Sequence, residues 1–162
     1  MYYKLALIIF STIHFYIFFA FSNEVTNCNH DVTNFRCVSV VDNYDGDTIT
    51  VNIKDVHPLL GNRISVRING IDTPEIKTSN LCEKEAGRNA KKLVAVFLKN
   101  AKRVDLVNIK RDKYFRILSD VFVDGQSIKG LLLKNKLAYE YDGGAKQQIN
   151  WCQFTKRAPA SL

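Results

Sequence analysis

Nine consecutive residues, Arg67-Ile68-Asn69-Gly70-Ile71-Asp72-Thr73-Pro74-Glu75, hold a guanidinium, two carboxylates and a hydroxyl. Two further clusters flank them: Asp45-Gly46-Asp47-Thr48 upstream and Asp112-Lys113-Tyr114-Phe115-Arg116 downstream. Oxygen donors suit a hard cation, and arginine forks suit a phosphate. A phosphodiester repels a nucleophile, and in-line attack adds charge to its equatorial oxygens. Forked donors hold those oxygens more strongly as the charge builds. A cation neutralises one oxygen and orients water, and a nearby carboxylate takes the water's proton.

These side chains need rigid elements. Ile64, Val66 and Ile68 alternate with Ser65, Arg67 and Asn69, which predicts a strand. Pro74 ends its ladder because it has no N–H to donate. Val38, Val40 and Val41 open an earlier strand, Asp45-Gly46 is a hairpin turn signal, and Ile49, Val51 and Ile53 mark a second strand. His57 to Gly61 reads as a loop. Glu83 to Lys99 reads as an amphipathic helix, with Ala86, Ala90, Leu93, Val94 and Phe97 on one face. Strands follow at Val104–Ile109 and Arg116–Val123, then a helix over Ser127–Lys136 capped by Ser127, and a short helix near Trp151. Short strands joined by tight turns, with a helix inserted after the third, predict an α+β, mainly β fold. It is a five-stranded OB-fold-like Greek-key barrel with two to three helices.

The three clusters, in this order and spacing, resemble the staphylococcal nuclease (thermonuclease) family over roughly Val38 to Tyr141. The resemblance implies a Ca2+-dependent nuclease that cuts DNA and RNA, with single-stranded or denatured nucleic acid preferred, and leaves 3′-phosphate ends. It implies Asp47 and Asp72 as calcium carboxylates, with the backbone carbonyl of Thr73 beside them. It implies Glu75 as general base and Arg67 and Arg116 as the two hands on the scissile phosphate. Lys113 and Tyr114 match contacts to the nucleotide's terminal phosphate, and Tyr139 and Tyr141 match the tyrosine pair of its pocket. The chain departs from the pattern at Phe115, where better-known members have glycine. The segment Ile76 to Cys82 is short, and the C-terminal helix is reduced or replaced.

Composition sets the context. The formal charge is +7 over 162 residues, which favours polyanionic partners. Lys91, Lys92, Lys99, Lys102 and Arg103 read as a solvated basic face. Lys4, an apolar run from Leu5 to Phe21 and Ala20-Phe21-Ser22 form a signal-peptide pattern over 1–22, so a secreted or periplasmic protein is expected, read separately as a monomer. An uncleaved membrane anchor is the alternative. Residues 23–36 read as a polar arm, 37–157 as the domain and 158–162 as a tail. Four cysteines follow the apolar run, and an oxidising compartment favours disulfides. Of three pairings we favour Cys28–Cys37, tying down the arm, and Cys82–Cys152, stapling the tail to the first long helix. No CxxC spacing supports zinc.

Each functional residue has a plainer reading. Asp45 or Asp47 serves equally as a turn former, Arg116 as a rim ion pair, and Tyr139 and Tyr141 as core-edge aromatics. A catalytically silent barrel that binds nucleic acid or protein is therefore the second reading. Retention of Arg67, Glu75, Arg116, Asp47 and Asp72 together argues for the enzyme.

Overall fold

The computed structural model describes residues 27–112 and 114–157. The signal pattern over 1–22, the tail 158–162 and Lys113 lie outside the described residues. In chain order the elements are β1 (Ser39–Asn43), β2 (Thr48–Asn52), α1 (Pro58–Gly61), β3 (Ile64–Ile68), β4 (Ile71–Asp72) and α2 (Leu81–Lys99). Then come β5 (Val104–Arg111), β6 (Ile117–Val123), β7 (Gln126–Ser127), α3 (Ile128–Lys134), β8 (Tyr139–Glu140) and α4 (Trp151–Phe154).

The five long strands run in the order β1-β2-β3-β6-β5, antiparallel except for the parallel pair β3–β6. The lead-in to β1 joins the two ends of this sheet. Phe35 exchanges backbone hydrogen bonds with Leu106, and Val38 N–H donates to Val104 O. That curls the sheet into a small barrel, as the expected OB-like fold requires. Alternation on β2 and β3 places Ile49, Val51, Val66 and Ile68 in the core. Val94 and Ala90 of α2 and Ile128 and Leu132 of α3 cover the barrel. A second core cluster of Ala86, Tyr139 and Trp151 lies beside it.

Local chemistry explains the boundaries. Helix α2 begins at Leu81, two residues before Glu83, because the Asn80 side chain caps it by accepting from Glu83 N–H at 3.2 Å. Ser127 caps α3 by accepting from Gly130 N–H at 3.2 Å. The expected loop at His57 holds a single helical turn, α1, started by Pro58 and capped by the His57 ring. Asp124 and Gly125 have φ of 49° and 79°, the left-handed pair that a tight β6–β7 hairpin needs.

Both favoured disulfides are present. Cys28–Cys37 pins the arm beside β1, and Cys82–Cys152 joins the first turn of α2 to α4, with Cα atoms 5.1 Å apart.

Candidate active site

Three backbone arrangements assemble the site. β2 and β3 pair Thr48 with Arg67, and Ile68 N–H donates to Asp47 O at 2.8 Å, so Asp47 is carried to the end of β3. The parallel pairing of β3 with β6 places Arg67 opposite Leu118, two residues after Arg116. The two-stranded ribbon β4–β8 pairs Asp72 with Tyr139.

Helix α2 clamps the turns from behind. A Cβ on Gly46 would stand 2.7 Å from the Ala90 Cβ and 2.9 Å from Thr73 Cγ2. A Cβ on Gly87 would stand 2.6 Å from the Pro74 carbonyl oxygen. Only glycine permits either approach. The Asp45–Asp47 turn and the Thr73–Glu75 turn therefore lie against the same helix face.

Asp47 is buried, with 1% of its surface exposed. Its Oδ2 accepts from Thr73 N–H at 2.8 Å and from the Thr73 hydroxyl at 2.7 Å. Its Oδ1 meets Arg67 Nη1. Arg67 Nη2 then donates to Asp72 Oδ1 at 2.6 Å and to Ile71 O at 3.3 Å. One guanidinium thus bridges two buried carboxylates, a charge-assisted arrangement that compensates their desolvation. The other oxygen of Asp72 accepts from the Tyr139 hydroxyl at 2.9 Å. Burial, together with this bond to a carboxylate, pushes the Tyr139 phenol up to about 12.

Lys146 completes the cluster. Its Nζ lies 3.1 Å from Asp72 Oδ2 and 2.7 Å from Glu75 Oε1. Burial works against its charge, but the bonds to Glu75 and Asp72 outweigh it, and the ammonium's pKa is raised. Asp45 faces the opening, and burial raises its carboxyl above the ordinary value although Arg67 acts in the opposite sense.

Arg116 is set by Asp112. Asp112 Oδ1 accepts from the N–H groups of Tyr114 and Arg116, and Oδ2 accepts from Arg116 Nε at 2.8 Å. Burial opposes the Asp112 charge, but these bonds outweigh it and lower its pKa. The Arg116 guanidinium lies 5.4 Å from the centre of the Tyr114 ring.

Arg67, Arg116, Asp45, Asp72, Glu75 and Lys146 line one cleft of about 850 Å³, with Tyr114 and Tyr141 at its edge. Of the tyrosine pair, Tyr141 reaches the cleft, while Tyr139 is buried beneath it against Trp151. Asp47 and Thr73 form a buried floor. Sequence reasoning did not single out Lys146, Asp112 as the organiser of Arg116, or Asp45 as the acidic side chain of this turn that faces the opening. Asp112 and Asp45 had a signal, their places within the third and first clusters, and Lys146 had none.

The family model described as staphylococcal nuclease homologue matches residues 65–158, more than half of the chain. The chain belongs to the staphylococcal nuclease family. It is 39% identical over 122 residues to the SPbeta prophage-derived endonuclease YokF of Bacillus subtilis (strain 168), covering 72% of this chain and 37% of that protein. It is 38% identical over 108 residues to endonuclease YncB of the same organism, covering 63% of this chain and 48% of that protein. The chain thus spans less than half the length of these relatives.

Among the described residues, no group of three or more His, Cys, Asp or Glu side chains is arranged to hold a metal ion as it stands. The donor chemistry nevertheless fits one. Four carboxylates, Asp45, Asp47, Asp72 and Glu75, gather where two cationic side chains, Arg67 and Lys146, answer them. Oxygen-only donors with surplus negative charge suit a hard divalent cation. The Lys146 side chain is 52% exposed and can withdraw from the cluster.

Proposed function

We propose that this staphylococcal nuclease family member is a secreted, Ca2+-dependent nuclease. It hydrolyses DNA and RNA, acts best on single-stranded or denatured strands, and leaves 3′-phosphate ends. The observation that carries the reading is the cleft itself, where Arg67 from β3 and Arg116 from the turn before β6 meet above an acidic floor. The names of YokF and YncB support the same chemistry.

Arg67 has five N–H donors, and three acceptors, Asp47 Oδ1, Asp72 Oδ1 and Ile71 O, engage it. The remaining donors serve a phosphoryl oxygen, and Arg116 offers its fork from the other side. Glu75 stands at the mouth with its backbone N–H 3.4 Å from Glu83 Oε1, and its carboxylate takes the proton of the attacking water. The new P–O bond forms in line with the bond to the 5′ oxygen, which breaks. The 5′ oxygen leaves with the bonding pair, takes a proton from solvent water in the open cleft and becomes a 5′-hydroxyl. The phosphate stays on the 3′ side. Asp47 and Asp72, with the Thr73 carbonyl, would hold calcium beside Glu75. Bound there, calcium would supply charge neutralisation for a phosphoryl oxygen. Tyr114, Tyr141 and, from its place in the sequence, Lys113 would hold the nucleotide.

Product ends test this assignment. Fragments should resist extension by a DNA polymerase until a phosphatase has removed the 3′-phosphate. Fragments that extend without that treatment would place the cut on the other side of the phosphorus.

A further inference from the structure

Phe115 is 81% exposed, beside the arginine that faces the cleft. Its φ of 61° lies in the left-handed region, which a bulky residue seldom adopts. The loop enforces it. Phe115 N–H donates to Asp112 O at 3.0 Å, Arg111 Nη1 donates to Phe115 O at 2.7 Å, and Asp112 ties down the residues on both sides. The turn that aims Arg116 also holds the Phe115 ring outward.

The ring borders a groove of about 700 Å³ on the outside of the barrel. Leu59 and Leu60 of α1, 80% and 59% exposed, form its apolar wall. Arg63, Lys110 and Arg111 supply cations along it. Arg116 and Ser65 line both this groove and the cleft, so the two are continuous. An apolar floor with cations suits one kind of strand, whose bases expose flat apolar faces while its backbone is anionic. That is single-stranded nucleic acid. A duplex keeps its base faces stacked inside.

We propose that this groove is a base-stacking subsite for nucleotides flanking the scissile phosphate on the Arg116 side. Phe115 is its platform, and Arg63, Lys110 and Arg111 hold the backbone. The position of the scissile phosphate rests on the nuclease reading; the groove itself does not.

The test is binding of fluorescent single-stranded oligonucleotides of increasing length to the full chain in a chelator, followed by anisotropy. The wild type should gain affinity as the strand grows past the cleft. Phe115→Ala should reduce the long-to-short affinity ratio about tenfold. Phe115→Tyr, which keeps a ring, should restore it. Because the ring is exposed, an unchanged melting temperature should accompany both variants. A ratio in Phe115→Ala equal to that of the wild type would overturn the subsite. Cleavage with calcium, assayed separately, keeps the two readings apart. A reduced ratio without cleavage supports the subsite while removing the nuclease, and cleavage with an unchanged ratio does the reverse.

Discussion

Lys146 Nζ lies 3.1 Å from Asp72 Oδ2, the oxygen opposite the one that Arg67 holds. The same ammonium bonds Glu75 Oε1 at 2.7 Å, so a tethered cation stands between two proposed active-site carboxylates. Calcium entering there competes with it. Lys146→Met should therefore bind calcium about fivefold more tightly without substrate, equivalent to about 1 kcal/mol for one partly exposed charge. Isothermal titration measures it directly. An unchanged or weaker affinity would show that Lys146 does not oppose the metal.

Arg67 and Arg116 should fail alike in catalysis and differently in stability. Lysine at either position loses the planar fork, and turnover of DNA should fall tenfold or more. Arg67 also compensates buried Asp47, so Arg67→Ala should cost about 3 kcal/mol or more in denaturant unfolding. The Arg116 side chain is one-third exposed, and Arg116→Ala should cost less than about 1 kcal/mol. Equal losses in the two alanine variants would contradict this division of labour.

Asp112→Asn should cut turnover about tenfold by loosening Arg116, and should also lower stability at neutral pH. Its folded pKa lies below the ordinary value of 3.8, so its contribution is complete above that value and is lost as pH falls through the folded pKa. The stability gap between wild type and variant should hold at neutral pH and close in strong acid. A gap that widens on acidification would contradict the assignment.

How much of this was legible in the sequence depended on chain distance. Arg67, Asp72, Thr73 and Glu75 lie on one strand and its turn, so one alternating pattern and one proline located them together. Asp47 was legible because Asp45-Gly46 announces a hairpin, and hairpins bring neighbours into register. The long helix followed from its 3.6-residue period. The β4–β8 ribbon was not legible, since two-residue strands carry no period. Lys146 belongs to a loop and meets Glu75 from 71 residues away, with no local signal to mark it. Which of Asp45 and Asp47 turns inward depends on Gly46 fitting against Ala90, a contact between distant segments.

The Cys82–Cys152 bridge holds α4 and Trp151 beside Tyr139, directly under Asp72. It closes a sequence separation of 70 residues, so replacing both cysteines with serine should cost about 4 kcal/mol in the chain-entropy account. Unfolding of the oxidised wild type and the double variant in denaturant measures the difference. A loss under about 1 kcal/mol would mean that α4 is held by packing alone.

The central claim is calcium-dependent phosphodiester cleavage in the Arg67–Arg116 cleft. Its most direct measurement is the cleavage rate of denatured DNA by the purified, oxidised protein with calcium and with a chelator, beside the Arg116→Lys variant. The account predicts cleavage with calcium, none with the chelator, and at least a tenfold slower rate in the variant. No cleavage with calcium, or cleavage that ignores both the chelator and the substitution, would contradict it.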